Sequence, residues 1–453
     1  MPSSQAQKLV ALIAQAVDDI EADTASQIPG GATTDLNLPI IAPEDDLEAN
    51  PKRLKAIENL QAATHQLLAT LLPAGFQICQ LHFAALQTVA LDVVIKGKIA
   101  DHINAIDPNS SKGGAHINVL AEKAEIESSK LSQILRFLAI RNVFCELTEN
   151  HWANNRMSFP LRSDSKNSLV NLLGHARDDI ALPALVELPN ILFKNEDSYR
   201  SAWAKYHKCK TDIFDHLKNS EGGWKAVRLG KAMIESSNAL ATGQSHYKGF
   251  DWKTLPPKGT LIDVGGGTGV ASYGLAGYLP QWKIVVQDRP EVVQFGIDHY
   301  QKLGSQANIE FEVHDFFKPQ PSHRIQTSDA YFLRNILDIW PEQEGLKILT
   351  LLRKAAKPST VLLLCETKID PPLVEKGSVL LANGGMATSI SHYFDVTMML
   401  VCNSRERSLR EYKELLEKSG WKFENLVQLT TISQKYIFKA VPNSDWKADS
   451  TGP

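Results

Sequence analysis

The chain is poor in the residues that staple or metallate a fold. Its five cysteines in 453 residues (Cys79, Cys145, Cys209, Cys365 and Cys402) are scattered, with no C-x-x-C pair. That excludes a disulfide framework and suits a reducing, cytoplasmic setting. Thirteen histidines show neither H-x-x-x-H spacing nor a His/Cys cluster, so no metal site is expected. A basic surplus is also missing. The net charge of −3 argues against nucleic acid or an anionic membrane as the main partner. No apolar run approaches the ~20 residues of a transmembrane helix. The opening MPSSQAQKLV has no basic stretch leading into an apolar core, so no secretory signal is expected.

With 43% hydrophobic and 22% charged residues, the chain holds enough material for two globular domains. Residues 5–20 place Leu9, Leu12, Ile13, Ala16 and Ile20 on one helical face. Alone such a stripe stays unburied, so the helix is expected to dock on a core or a second subunit. Residues 25–50, rich in Gly, Pro, Ala, Thr and acids, read as a linker. Helical patterns over 52–72 and 76–105 lead into a compact stretch at 116–160. There HINVLAEKAEI and SSKLSQILRFLAIRN read as helices, and VFCEL and WANNRMSFP as short strands, which is a winged-helix pattern. Its second helix offers only Lys130, Arg136 and Arg141 as cations, so packing or dimerisation is preferred to DNA reading. Residues 195–245 are again helical. From Lys258 onward, the apolar runs GTLIDVG, KIVVQD, IEFEVHD, DAYFLRNIL and TVLLLCE alternate with helices, and YIFKAV closes the series. This predicts an α/β domain with a parallel, doubly wound sheet.

The loop Asp263-Val264-Gly265-Gly266-Gly267-Thr268-Gly269 follows the first of these strands, where glycines let the backbone turn tightly and approach a ligand. Asp288 ends the next strand about twenty residues on, placed to accept from a ribose diol. Asp315-Phe316-Phe317 ends the third, with an acid and a ring suited to adenine. Acids after three successive strands, and GGGTG in place of G-x-G-x-x-G, are the pattern of S-adenosyl-L-methionine binding rather than of a dinucleotide.

Together DVGGGTG, QDRP, DFF, LRNIL..WPEQEGLKIL and RERS resemble the class I O-methyltransferases of the plant caffeate/flavonoid type, in their fungal branch, over residues 75–442. The resemblance implies a homodimer, with an N-terminal all-helical plus winged-helix dimerisation domain and a C-terminal Rossmann-like domain that binds S-adenosyl-L-methionine. The implied division is an N-terminal helix and linker (1–50), the dimerisation domain (51–160), a helical connecting region contributing to the pocket (161–256), the catalytic domain (257–442) and a tail (443–453). Cofactor contacts would fall on Asp263, Gly265, Gly267, Asp288, Asp315, Phe316 and Arg334. Met233, Met399, Asn403 and Asn154 match pocket positions. Glu366 and Glu406 match the two glutamates that orient a substrate hydroxyl, although the loop between Asn403 and Glu406 is short.

The departure lies at Leu333-Arg334-Asn335-Ile336-Leu337-Asp338-Ile339-Trp340, where the family carries His-Asp-Trp. Asp338 replaces the histidine that removes the substrate proton. An unperturbed Asp is a poorer base than His by roughly 3.5 kcal/mol, a deficit that burial reduces. His116, His151, His207 and His392 are the histidines near pocket-forming segments, and nothing in the sequence selects one of them. A base pair remodelled beside an intact cofactor loop resembles the methyltransferase-like pericyclases of the leporin and pyridoxatin type. These dehydrate a 2-pyridone alcohol to a quinone methide and steer a hetero-Diels–Alder or Alder-ene cyclisation without methyl transfer. The catalytic set expected is Asp338, Glu366 and Glu406. An O-methyltransferase acting on a phenolic or polyketide hydroxyl, and a non-catalytic S-adenosylmethionine-binding protein, remain as alternatives.

Overall fold

The computed structural model describes residues 4–28, 36–37, 47, 50–108, 112–193, 199–240, 247–303, 307–431 and 434–447; the expected linker at 25–50 lies largely outside them. The chain divides into two compact units, each with its own core. The first comprises residues 1–186, 214–243 and 373–387, and the second residues 187–213, 244–372 and 388–453.

In the first unit, helix α1 (Gln5–Gln27) begins at a Ser4–Gln7 capping box and buries Leu9, Ala16 and Thr24. It packs on α2 (Pro51–Leu71), which starts from Asn50 with Pro51 in its first turn. Buried Arg53 fastens the pair, donating to Asp23 at 3.1 Å and to Thr24 at 2.9 Å. The amphipathic stripe at the N-terminus therefore finds its cover within the unit. The next helices, α3 (Ala74–His82) and α4 (Ala85–Lys96), break at Phe83–Ala84 and are followed by α5 (Ile99–Ile106). Contrary to the expectation of no such segment, Ala74–Lys96 contains an 18-residue window of mean hydropathy 1.6, apolar and long enough to cross a membrane by composition alone. Only 17% of that window is buried, and Phe76, Ile78, Leu81 and Phe83 are exposed.

The winged-helix pattern is present as β1 (Ala115–His116), α6 (Ile117–Ala124), α7 (Ser128–Ala139), β2 (Cys145–Thr148) and β3 (His151–Ala153). The strands pair in the order β1-β3-β2. Leu120, Leu131, Leu135, Phe144 and Trp152 fill the core beneath them. The second strand is shorter than WANNRMSFP suggested. Asn154 and Asn155 turn the chain inward, where Ser158 and Asn155 exchange hydrogen bonds at 2.9 and 3.0 Å.

The second unit holds a seven-stranded sheet made of β4 (Gly259–Val264), β5 (Trp282–Asp288), β6 (Ile309–Val313), β7 (Ala330–Arg334), β8 (Val361–Thr367), β9 (Trp421–Gln428) and β10 (Lys435–Pro442). Their order is β6-β5-β4-β7-β8-β10-β9. The first five strands pair in parallel. The last two are antiparallel, so the sheet is mixed and not wholly parallel. A short link joins β9 to β10, and short links allow only antiparallel neighbours. Alternate residues feed opposite cores. Tyr331, Leu333, Leu362 and Leu364 join one cluster, while Phe332, Leu363 and Cys365 join the other. Burial on both faces is the signature of a doubly wound, Rossmann-like domain.

Candidate functional site

The sheet order reverses at β4, whose neighbours are β5 and β7. In open α/β sheets ligands bind beyond the carboxyl ends of the strands at this point. The loop after β4 turns through Gly265 (φ +66°) and Gly267 (φ +60°). The Gly265 and Gly266 amides donate to the Gln287 carbonyl at 2.8 and 3.2 Å. A Cβ on Gly265 would lie 2.6 Å from Ile336 Cδ1 and 3.2 Å from Phe316, whereas one on Gly267 would meet nothing within 4 Å. Gly265 is thus required by close packing, and Gly267 by its backbone angle beside open space. Asp288 Oδ2 accepts from the Gly267 amide at 2.8 Å and Oδ1 from Arg289 at 2.7 Å. The carboxyl group is held in place, and burial pushes its pKa up. Asp315, exposed, accepts from the Phe317 amide at 2.9 Å. Phe316 lies edge-on to Phe317 and Trp340, with ring centres 4.9 and 6.1 Å apart.

Gly265, Gly267, Asp288, Asp315 and Phe316 therefore share one edge of the sheet. Asp263 has a different place. It is 1% exposed and accepts from Ser272 Oγ at 2.7 Å, and its Cγ would lie 2.6 Å from a Cβ on Gly266. It braces the loop from beneath, and burial raises its carboxyl pKa to about 6. Arg334, at the end of β7, donates to the Tyr247 hydroxyl at 3.2 Å.

The three acids expected to be catalytic come together in the second unit, all buried: Asp338 is 6% exposed, Glu366 0% and Glu406 4%. Asp338 lies in the turn after β7, which is entered through Asn335 at φ +54°. Two ionisable side chains grip that turn. Glu366 Oε1 accepts from the Ile336 and Leu337 amides, each at 3.1 Å. Arg407 donates to the Leu337 carbonyl and, at 3.0 Å, to that of Trp340. Asp338 Oδ1, Glu366 Oε2 and the Tyr412 hydroxyl have no hydrogen-bond partner among the described residues. Buried polar atoms are rarely left so. Burial, and next the charge of Asp338, push Glu366 up to about 8 and Glu406 well above the carboxylate range. Asp338 is raised by burial against the opposing pull of Lys435. Near neutral pH the cluster retains protons.

The matched pocket residues are less uniform. Met399 is half-buried on the helix Ser389–Cys402. Asn403 ends that helix in the left-handed conformation (φ +53°), a backbone duty that asparagine tolerates well. Met233 (46% exposed) and Asn154 belong to the first unit. The Asn154 amide is occupied there. Its Nδ2 donates to the Ala100 carbonyl at 2.9 Å and its Oδ1 accepts from Ser158 at 3.1 Å. His116 caps α6 and meets His151 edge-on at 4.9 Å, and His207 packs on Trp203 at 4.7 Å.

Three residues escaped the sequence reading. Lys435 and Tyr412 join the carboxyl cluster from β10 and the helix Leu409–Lys418. His175, in the first unit, is 1% exposed, with Nδ1 3.0 Å from Asp179 Oδ2. Asp179 also accepts from Arg228 Nε at 3.0 Å, and His175 Nε2 has no partner among the described residues. The segment Ala176–Ala181 is π-helical, an irregularity frequent at functional sites. The i,i+4 spacing of His175 and Asp179 was the available signal.

Residues 195–422 match the O-methyltransferase domain family. The chain belongs to that family. An O-methyltransferase of Armillaria gallica is 28% identical over 95% of this chain and 97% of its own length. The 3-O-methyltransferase 2 of Phanerochaete chrysosporium is 29% identical over 81% and 83%. Among solved structures, one described as a pericyclic reaction enzyme shares the fold at a TM-score of 0.70, with 18% identity over 95% of this chain and 99% of that one. LepI with SAM aligns at 0.69, with 19% identity over 85% and 94%. Members of the O-methyltransferase domain family use S-adenosyl-L-methionine, and the open cradle at Gly267 beside the fixed Asp288 fits that cofactor. S-adenosyl-L-methionine is the cofactor of this chain.

Proposed function

We propose that the protein is an S-adenosylmethionine-dependent pericyclase of fungal secondary metabolism, which dehydrates a 2-pyridone alcohol to a quinone methide and steers its hetero-Diels–Alder or Alder-ene cyclisation. The observation that carries this reading is the carboxyl cluster at Asp338, where the family keeps a histidine. Methyl transfer to a hydroxyl needs a base. Dehydration needs an acid and a base together, and acids that share protons in one buried space supply both. In this reading the alcohol C–O bond breaks, its oxygen takes a proton from the cluster and leaves as water, and the ring hydroxyl gives its proton to the ionised member. The protons balance and nothing is oxidised. Asp338 faces the substrate hydroxyl, while Glu366 and Glu406 behind it hold the exchangeable protons. Cyclisation then needs a folded conformer and exclusion of water rather than a further base.

Asp288, Asp315, Phe316 and the Gly265–Gly267 loop would hold the cofactor. When bound, S-adenosylmethionine supplies a fixed sulfonium charge that stabilises negative charge on a substrate oxygen. Met399 would form apolar wall. In this reading the enzyme is a cytoplasmic homodimer, with the exposed apolar side chains of α3 and α4 available to a second copy of the chain.

A second reading, an O-methyltransferase of a phenolic or polyketide hydroxyl, is favoured by the names of the fungal relatives and by the presence of Glu366 and Glu406. Product mass separates the two. Purified protein and S-adenosylmethionine are incubated with phenols and dienyl 2-pyridone alcohols, alongside Asp338→Asn. Dehydrated or isomeric products, lost in the variant, are expected. Products heavier by a methyl group would overturn the pericyclase reading.

A further inference from the structure

The carboxyl cluster raises a question of charge. Glu366 on β8 holds the turn that carries Asp338. A parallel bridge between Lys368 and Arg407 lays Glu406 alongside Thr367. On the other side of β8, the antiparallel register with β10 sets Lys435 opposite Thr367 and Tyr436 opposite Glu366. Three elements thus deliver three carboxyl groups, and β10 a lysine, into a space shut off from water. The Tyr412 hydroxyl is within electrostatic reach of all three acids, the Cys365 thiol of Glu366 and the Cys402 thiol of Asp338. Of the cations that face them, Arg407 has its guanidinium committed to the Leu337 and Trp340 carbonyls. Lys435 is otherwise engaged. It is 9% exposed, and its Nζ donates at 2.7 Å to Oγ1 of Thr367, the residue beside Glu406. Its charge opposes the effect of burial on Asp338, Glu366 and Glu406 alike.

A lysine is seldom this buried unless something compensates it. Strand β10 begins at Lys435, a position where any strand-forming residue would satisfy the sheet. We propose that Lys435, tethered to Thr367, is the counter-ion and positioning residue of the Asp338–Glu366–Glu406 cluster, acting on the reaction through the three acids and not by touching substrate. One ammonium against three carboxyl groups lets a single member ionise while the others stay protonated, which keeps an acid and a base side by side. Its effect on catalysis rests on the pericyclase reading; its effect on the cluster's protons does not.

The test therefore begins without substrate. The full chain is followed by infrared spectroscopy across the pH range, reading the absorption of protonated carboxyl groups in the wild type, Lys435→Met and Lys435→Arg. Loss of an opposing charge raises a carboxyl pKa, so in Lys435→Met the band is expected to persist about one pH unit or more beyond the wild type, with Lys435→Arg restoring it. A band that titrates at the wild-type pH in folded Lys435→Met would overturn the proposal. Should that variant not fold, Thr367→Val keeps the ammonium and removes its tether. A smaller shift in the same direction supports the proposal, and an unchanged band overturns it. With substrate in hand, the kcat–pH profile of Lys435→Met is expected to move with the band while KM stays near wild type. A fall in kcat on an unmoved profile would contradict a positioning role.

Discussion

In the helical unit, Asp179 is buried against Arg228, Lys225 and His175. In the sheet unit, Asp338, Glu366 and Glu406 are buried with one another and with Lys435. Burial raises the pKa of a lone acid everywhere. Around Asp179 the His175 and Arg228 hydrogen bonds outweigh it, and the carboxyl falls below its usual value. Around Glu366 nothing outweighs it, and the neighbouring acid adds to it. The first arrangement fixes charges and is suited to holding helices and a histidine in place. The second raises carboxyl pKa values, an arrangement suited to proton transfer rather than to holding a fold together.

The largest effect is expected from Glu366→Ala. It strips the acceptor from the buried Ile336 and Leu337 amides, at about 1–3 kcal/mol for each, so urea unfolding should show a loss of roughly 2–6 kcal/mol. Glu366→Gln keeps an acceptor and should retain most of that stability, separating the acid's grip on the turn from its proton. Next comes Arg228→Met, which leaves Asp179 with Lys225 and His175 alone. Breaking a buried pair from one side costs about 3 kcal/mol or more, and the same measurement reads it.

The contrast also has opposite signs in pH. Glu366 is raised from 4.5 to about 8, so the folded state holds its proton more tightly than the unfolded chain. Its contribution to stability is complete below pH 4.5 and is lost as pH climbs through 8. Asp179 is lowered, so its contribution is present above the unfolded value and lost as pH falls through the folded one. Thermal unfolding across pH should show both arms. Glu366→Gln should flatten the alkaline arm and Arg228→Met the acidic one, and either variant flattening the other's arm would break the contrast. The smallest effect belongs to Asp263, an intermediate case with one hydroxyl partner. Ser272→Ala should cost about 1 kcal/mol and push the Asp263 carboxyl further up, narrowing the pH range over which the protein binds S-adenosylmethionine in calorimetric titrations.

The grouping of Gly265, Gly267, Asp288, Asp315 and Phe316 at one edge of the sheet was legible in the sequence because each part is local. A glycine run between a strand and a helix, with acids at strand ends, declares itself locally. Five apolar runs named five parallel strands, since strands buried on both faces are continuously apolar. Trp421–Gln428 was not legible as a strand. Lys422, Glu424 and Asn425 interrupt it, as an edge position permits. The substitution at Asp338 was readable only against a family pattern, and the protons it shares were not readable at all. Lys435 meets Thr367 through the register of β10, and Tyr412 reaches the acids through the packing of a helix, neither of which any spacing encodes. Asn154 and Asn403 show the converse. Both matched pocket positions, yet one amide is occupied inside the helical unit and the other residue ends a helix.

The central claim is that the carboxyl cluster lets the fold keep its cofactor's methyl group. It is tested most directly with S-adenosylmethionine labelled at that methyl, carried through complete conversion of a dienyl 2-pyridone alcohol. The label is expected to remain on S-adenosylmethionine, in full, while a dehydrated or cyclised product accumulates over many turnovers. Label in the product, matched by an equal amount of S-adenosylhomocysteine, would contradict the claim and make Asp338 the base of a methyltransferase.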